Sequence, residues 1–228
     1  MESELTATSV FRRGRSGPVR GVIFDLDGVL VDSFEVMRAA FTLAYAEVVG
    51  TGPAPFEEYN RHLGRYFPDI MRIMGLPLKM EEPFVRESYR LADRVRIFDG
   101  VPELLAALRK RGIGLTVATG KSGPRARSLL DRLGLLGMFE RVIGSDEVAH
   151  PKPAPDIVLR ALDELGLGAA EAVMVGDAVT DLASASAAGV TALAALWGES
   201  DEDELLRAEP DGVLRQPPEL LAWCPAVV

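Results

Sequence analysis

Between Val101 and Ala195 the hydrophobic period switches repeatedly from helical to extended and back, a pattern that few folds accept. Leu104, Leu105 and Leu108 mark one face of a helix over Val101–Lys110, and residues 113–118 form an apolar strand. A helix over 122–133, a short strand at 141–143, a helix over 155–165 stopped by Gly166, a strand at 172–175, a helix over 179–188 and a strand at Thr191–Ala195 follow. Strand, helix and strand in that order require parallel pairing with right-handed crossovers. The expected fold is α/β, a doubly wound, Rossmann-like parallel sheet. Such sheets carry their chemistry at the C-terminal strand ends, here Asp25, Thr119, Asp146 and Asp177.

The first strand belongs to the stretch GVIFDLDGVLVD at 21–32, where Val22 and Ile23 give way to Asp25, Leu26, Asp27 and Gly28. Carboxylates two apart on an extended chain point the same way, so Asp25 and Asp27 can share one site. With no His or Cys nearby, the ligands on offer are hard oxygens, which suit Mg²⁺ better than Zn²⁺. Taken alone, D-x-D also describes a strand ending in a solvated turn. Three further groups fall on the same edge. Thr119, Gly120 and Ser122 end a strand and open a helix, so a hydroxyl and backbone N–H groups can hold an anion. The segment TGKS is not a P-loop, because the glycine required five residues before Gly120 is Leu115. Lys152 lies between prolines in HPKPAP, which restrict the backbone and aim the side chain. A lone lysine is ordinarily a surface charge. Asp177 and Asp181, in GDAVTD, sit at a strand end and one helical turn on, placed to face one metal.

The helical pattern of Val36, Met37, Ala40, Phe41, Ala44 and Val48, with Ser33 as a cap, opens a block from 34 to 98 that contains no convincing strand. That block interrupts the sheet and is expected to form a helical cap or lid. The expected organisation is a mobile tail at 1–20, an α/β core from 21–33 and 99–228, and a cap at 34–98. Within the cap, His62, Gly64, Arg65 and Tyr66 form one polar, partly aromatic cluster, which marks His62 and Arg65 as candidate substrate-binding residues.

A chain of 228 residues with 48% hydrophobic residues has ample core for a globular fold. Its formal charge of −9 argues against nucleic acid or an anionic membrane as partner, since both demand a basic face. Residues 1–20 lack the apolar run of a secretory signal, and no run approaches a transmembrane span. The single Cys224 excludes an internal disulfide and fits a reducing compartment, so a cytoplasmic location is expected, as a monomer or weak homodimer.

In that order, D-x-D-G, Thr, Lys with prolines and G-D-x-x-x-D resemble the haloacid dehalogenase superfamily, in its phosphatase branch with a helical cap. The segments FDLDGVLVDSFEVMRAAF, HLGRYFPDIMRIMGLP, ATGKSGPRARSLL and VMVGDAVTDLASASAAG are similar to phosphatases associated with 3-amino-5-hydroxybenzoate synthesis in ansamycin-producing actinobacteria. The resemblance implies a Mg²⁺-dependent phosphomonoester hydrolase acting on a small phosphorylated metabolite, a sugar or amino-sugar phosphate. Asp25 would be the nucleophile that forms an aspartyl-phosphate, and Asp27 the general acid and base. Thr119, Gly120 and Lys152 would hold the phosphate. Asp25, Asp177 and Asp181 would hold the metal, together with Asp27 through its backbone carbonyl. The second Asp argues against a true haloacid dehalogenase. A β-phosphoglucomutase-like mutase, a phosphoglycolate-type phosphatase and a non-catalytic sugar-phosphate-binding module are the alternatives.

Overall fold

The computed structural model describes residues 17–198 and 200–225. Its centre is a six-stranded, all-parallel sheet built from β1 (Gly21–Phe24), β4 (Gly114–Thr119), β5 (Arg141–Gly144), β6 (Ala172–Gly176), β7 (Thr191–Ala195) and β8 (Gly212–Leu214), in the order β5-β4-β1-β6-β7-β8. From β1 the chain runs outward to β4 and β5, then crosses back to β6 and winds the other way. The order therefore reverses at β1, which puts the crevice of a doubly wound sheet beside that strand's C-terminal end. Side chains alternate across the strands and split the core into two layers. Val22, Phe24, Leu115, Val117, Val173 and Val175 pack on one face, under α5 (Val101–Lys110) and α6 (Gly123–Arg132). Ile23, Ala118, Met174, Ala192 and Ala194 pack on the other, with α7 (Asp156–Leu165), α8 (Val179–Ala187) and α9 (Glu202–Arg207).

Between β1 and β4 the chain leaves the sheet. A two-residue strand β2 (Val31–Asp32) pairs antiparallel with β3 (Arg96–Ile97), so the outgoing and returning chains run side by side. The segment between them folds as α1 (Phe34–Val48), α2 (Phe56–Asn60), α3 (Phe67–Ile73) and α4 (Glu81–Arg90), around its own cluster of Phe41, Phe56, Tyr59, Phe67, Met71 and Phe84. Phe67 and Phe84 stack with centroids 4.1 Å apart. The expectation of no strand between 34 and 98 is corrected by β3, which is two residues long and too short to show a period.

The tail expected at 1–20 lies outside the described residues as far as residue 16. Of the rest, Val19 is buried in the core, and Arg20 continues β1: its N–H donates to the Glu171 carbonyl (2.7 Å), and its carbonyl accepts from the Gly114 N–H (2.9 Å). Cys224 is buried beside Leu220 and Trp223. No helix among the described residues is long and apolar enough to cross a membrane.

Candidate active site

The strand ends of β1, β4 and β6 bring Asp25, Asp27, Thr119 and Asp177 to one crevice, and the loop before α7 inserts Lys152 into it from behind. Asp25, Thr119, Lys152, Asp177 and Asp181 are all buried. The Lys152 ammonium donates to Asp25 Oδ1 (2.9 Å) and Asp181 Oδ1 (2.6 Å), so one lysine offsets two carboxylates. Burial pushes that lysine's pKa down, but Asp181 and Asp25 more than restore it, and it stays protonated. The other oxygen of Asp181 accepts the Ala178 N–H (3.1 Å), which ties this carboxylate to the first turn of α8. Asp25 Oδ2 has no protein hydrogen bond among the described residues.

Carboxylate oxygens of Asp25, Asp177 and Asp181 lie within 4.8 Å of one another, a buried all-oxygen donor set that fits a hard divalent cation. Gly28 makes this possible. Its φ is +81°, and a Cβ there would stand 1.9 Å from Asp177 Oδ2, so any side chain would drive Asp177 out of the site. The Asp27 carboxylate points elsewhere, accepting from Ser33 Oγ (2.5 Å) and pairing with the Lys121 ammonium (3.1 Å). Ser33 was expected to cap α1 through its side chain. Its hydroxyl makes no cap bond, because Asp27 is the stronger, charged acceptor. Burial pushes the Asp27 carboxyl up, and Lys121 with the Ser33 bond outweighs that, holding it below the usual range.

Asp25 goes the other way. Burial above all, with Asp181 and Asp27 adding to it against Lys152, pushes its carboxyl up to about 7. Between its ordinary value of 3.8 and about 7 the folded chain holds a proton that the unfolded chain has released. Metal-free stability contributed by this group therefore falls as pH rises through that window. A cation bound against Asp25 must displace the same proton, so a divalent cation should raise the melting temperature little at about pH 6 and distinctly more at about pH 8. Differential scanning fluorimetry at the two pH values checks this, and equal shifts would contradict a cation beside Asp25.

Above the crevice lies a pocket with about 670 Å³ of empty space, its open mouth included, bounded on the far side by the helical insertion. Arg65 lines it; His62 does not. His62 lines an outer cleft with Arg61 and Thr180, because the turn after α2 sends it toward Glu58 one helical turn back (3.5 Å) and leaves Leu63 and Gly64 inside. The insertion touches the crevice directly there, with Thr180 Oγ1 donating to the Leu63 carbonyl (3.0 Å). A Cβ on Gly120 would lie 2.4 Å from the Gly64 carbonyl oxygen, so only glycine admits this approach. Asp146 stays outside the site, where its carboxylate accepts the Gly123 N–H (2.7 Å) and anchors the start of α6. Sequence reasoning passed over Lys121 and Arg125, both of which line the pocket.

Against this geometry, the haloacid dehalogenase-like hydrolase family matches residues 19–189. The chain belongs to that family. It is similar to the probable phosphatase IndB of Dickeya dadantii, 36% identical over 206 residues, covering 85% of this chain and 88% of the relative. It is also similar to the phosphoglycolate phosphatase of Xanthomonas campestris, 32% identical over 215 residues, covering 91% of this chain and 96% of the relative. Among solved structures, CbbY from Rhodobacter sphaeroides in complex with phosphate shares 26% identity with a TM-score of 0.78, over 90% of this chain and 99% of that one. Within the haloacid dehalogenase-like hydrolases, the chain is a phosphatase.

Proposed function

We propose that the enzyme is a Mg²⁺-dependent hydrolase of small phosphate monoesters that works through an aspartyl-phosphate on Asp25. The observation that carries this reading is the separation of the two acids, since Asp25 sits in the carboxylate cluster whereas Asp27 is held out of it by Ser33 and Lys121. A nucleophile and a proton carrier need different surroundings. Asp25 Oδ2 attacks phosphorus, the bond to the leaving alcohol breaks, and Asp27 delivers a proton to the departing oxygen. The incoming phosphate dianion raises the Asp27 pKa and so helps it take up that proton. Asp27 then removes a proton from the water that cleaves the aspartyl-phosphate. Thr119, the Gly120 N–H and Lys152 hold the transferring oxygens, with Lys152 also offsetting the charge on Asp25. When bound by Asp25, Asp177, Asp181 and the Asp27 carbonyl, Mg²⁺ neutralises phosphate charge.

The insertion acts as a cap in this reading, with residues 34–98 closing on the core about the β2–β3 ribbon. Arg65, whose backbone rests against Gly120, contributes to substrate binding, and His62 contributes at most through the outer cleft. The resemblance to the phosphatases of 3-amino-5-hydroxybenzoate synthesis supports a sugar or amino-sugar phosphate and a cytoplasmic biosynthetic role. The phosphoglycolate phosphatase relative supports a phosphorylated organic acid instead. A panel of sugar phosphates, amino-sugar phosphates and phosphorylated acids, assayed for phosphate release with Mg²⁺ and with chelator, tests the reading. Release from at least one ester, lost with chelator and restored by Mg²⁺, is expected. Isomerisation without release would identify a mutase, and no turnover of any ester would overturn the hydrolase.

A further inference from the structure

The pocket above Asp25 is lined by one cation, Arg125, to which phosphate transfer assigns no role. Lys152 is matched by Asp25 and Asp181, and Lys121 by Asp27. Arg125 has no carboxylate within ion-pair distance among the described residues, yet it is 8% exposed and lines the pocket. Its protein contacts are neutral: Nη2 donates to Ser88 Oγ (2.9 Å) on α4, and the guanidinium lies 5.0 Å from the centroid of the Phe84 ring. A guanidinium has five N–H donors, and one of them is matched by an acceptor here. Burying an ionised group without a paired counter-charge is costly. Arg125 also occupies the first turn of α6, where the helix dipole disfavours a cation. Arg125 lies close enough to Lys121 to disfavour that lysine's charge, and burial pushes its own pKa down despite the field of Asp27. Phe34, Phe56, Tyr59, Phe67 and Phe84 line the same pocket.

We infer that Arg125, with Lys121, binds a second anionic group on the substrate, a carboxylate or a second phosphate carried by the leaving alcohol on an apolar skeleton. This rests on the hydrolase reading above and narrows its substrate. Such a group supplies the missing counter-charge and fits the forked guanidinium. It lies on the leaving-group side, because Lys121 already touches Asp27, which protonates that oxygen.

Three matched esters test this: phenyl phosphate, 3-carboxyphenyl phosphate and 3-(phosphonomethyl)phenyl phosphate. The wild type should hydrolyse one of the charged esters with a kcat/KM roughly 10- to 100-fold above phenyl phosphate, the range expected for a hydrogen-bonded charge pair. Whichever charged ester leads tells carboxylate from phosphate. In Arg125→Met that ratio should fall to within about threefold of one, with Arg125→Lys between the two, because charge is kept and the fork is lost. Should Arg125→Met not fold, Lys121→Met with Arg125→Lys should show the same fall in ratio. Calorimetric binding of the three esters to Asp25→Asn reads the preference without turnover. Absence of hydrolysis with a charged preference intact would count against the hydrolase reading alone. Equal binding of neutral and charged esters, or a ratio unchanged in folded Arg125→Met, would overturn the role of Arg125.

Discussion

Asp25→Asn should lose essentially all turnover, a fall of at least about 10⁴-fold set by the assay floor, since losing a covalent nucleophile leaves only positioning and electrostatics. The fold should survive. The buried Asp25 carboxyl is already pushed up to about 7, and an amide of the same shape removes a buried charge that was costly to hold. Lys152 keeps Asp181 as a partner at 2.6 Å, so the change does not strand a bare ammonium. The measurement is phosphate release together with a melting curve. Activity retained within tenfold of wild type would exclude Asp25 as nucleophile, whatever the melting temperature.

Asp27→Asn separates the two steps of the reaction. An amide cannot protonate a leaving alkoxide, so hydrolysis of an alkyl phosphate should fall by about 10²- to 10⁴-fold. An ester with a good leaving group, such as p-nitrophenyl phosphate, departs without that proton, and its phosphoryl transfer to Asp25 should survive as a burst of nitrophenol. Slow breakdown of the aspartyl-phosphate should follow, because the base for water is also lost. Rapid-quench or stopped-flow measurement on both esters checks this. Equal losses in the first step would mean that Asp27 acts by charge or position rather than by proton transfer. The substitution also frees Lys121 from its 3.1 Å partner, so an unchanged melting temperature is needed before the kinetics are read.

The alternation of strand and helix after Val101 determined the parallel sheet, because period 2 and period 3.6 place apolar side chains on incompatible faces and only one architecture buries both. The residues of the crevice were legible for a related reason. Asp25, Thr119 and Asp177 each follow an apolar strand at once, and a parallel sheet must gather its C-terminal strand ends on one edge. What local pattern cannot carry is the partner of each side chain. Ser33 read as a helix cap, and only the turn at Gly28, which folds 33 back beside 27, gave its hydroxyl a carboxylate instead. His62 and Arg65 are three residues apart in one loop, yet His62 borders only the outer cleft whereas Arg65, beside the close approach of Gly64 to Gly120, borders both the cleft and the pocket. For Arg125 the one local sign in the sequence is its place in the first turn of a helix, against the dipole. Its burial arises because α4, 37 residues earlier in the chain at Ser88, covers it. The sequence by itself therefore determined the sheet and the edge where Asp25, Thr119 and Asp177 gather, since both follow from period and strand ends. The tertiary structure alone decided which charges remain uncompensated, since that depends on contacts between segments far apart in the chain.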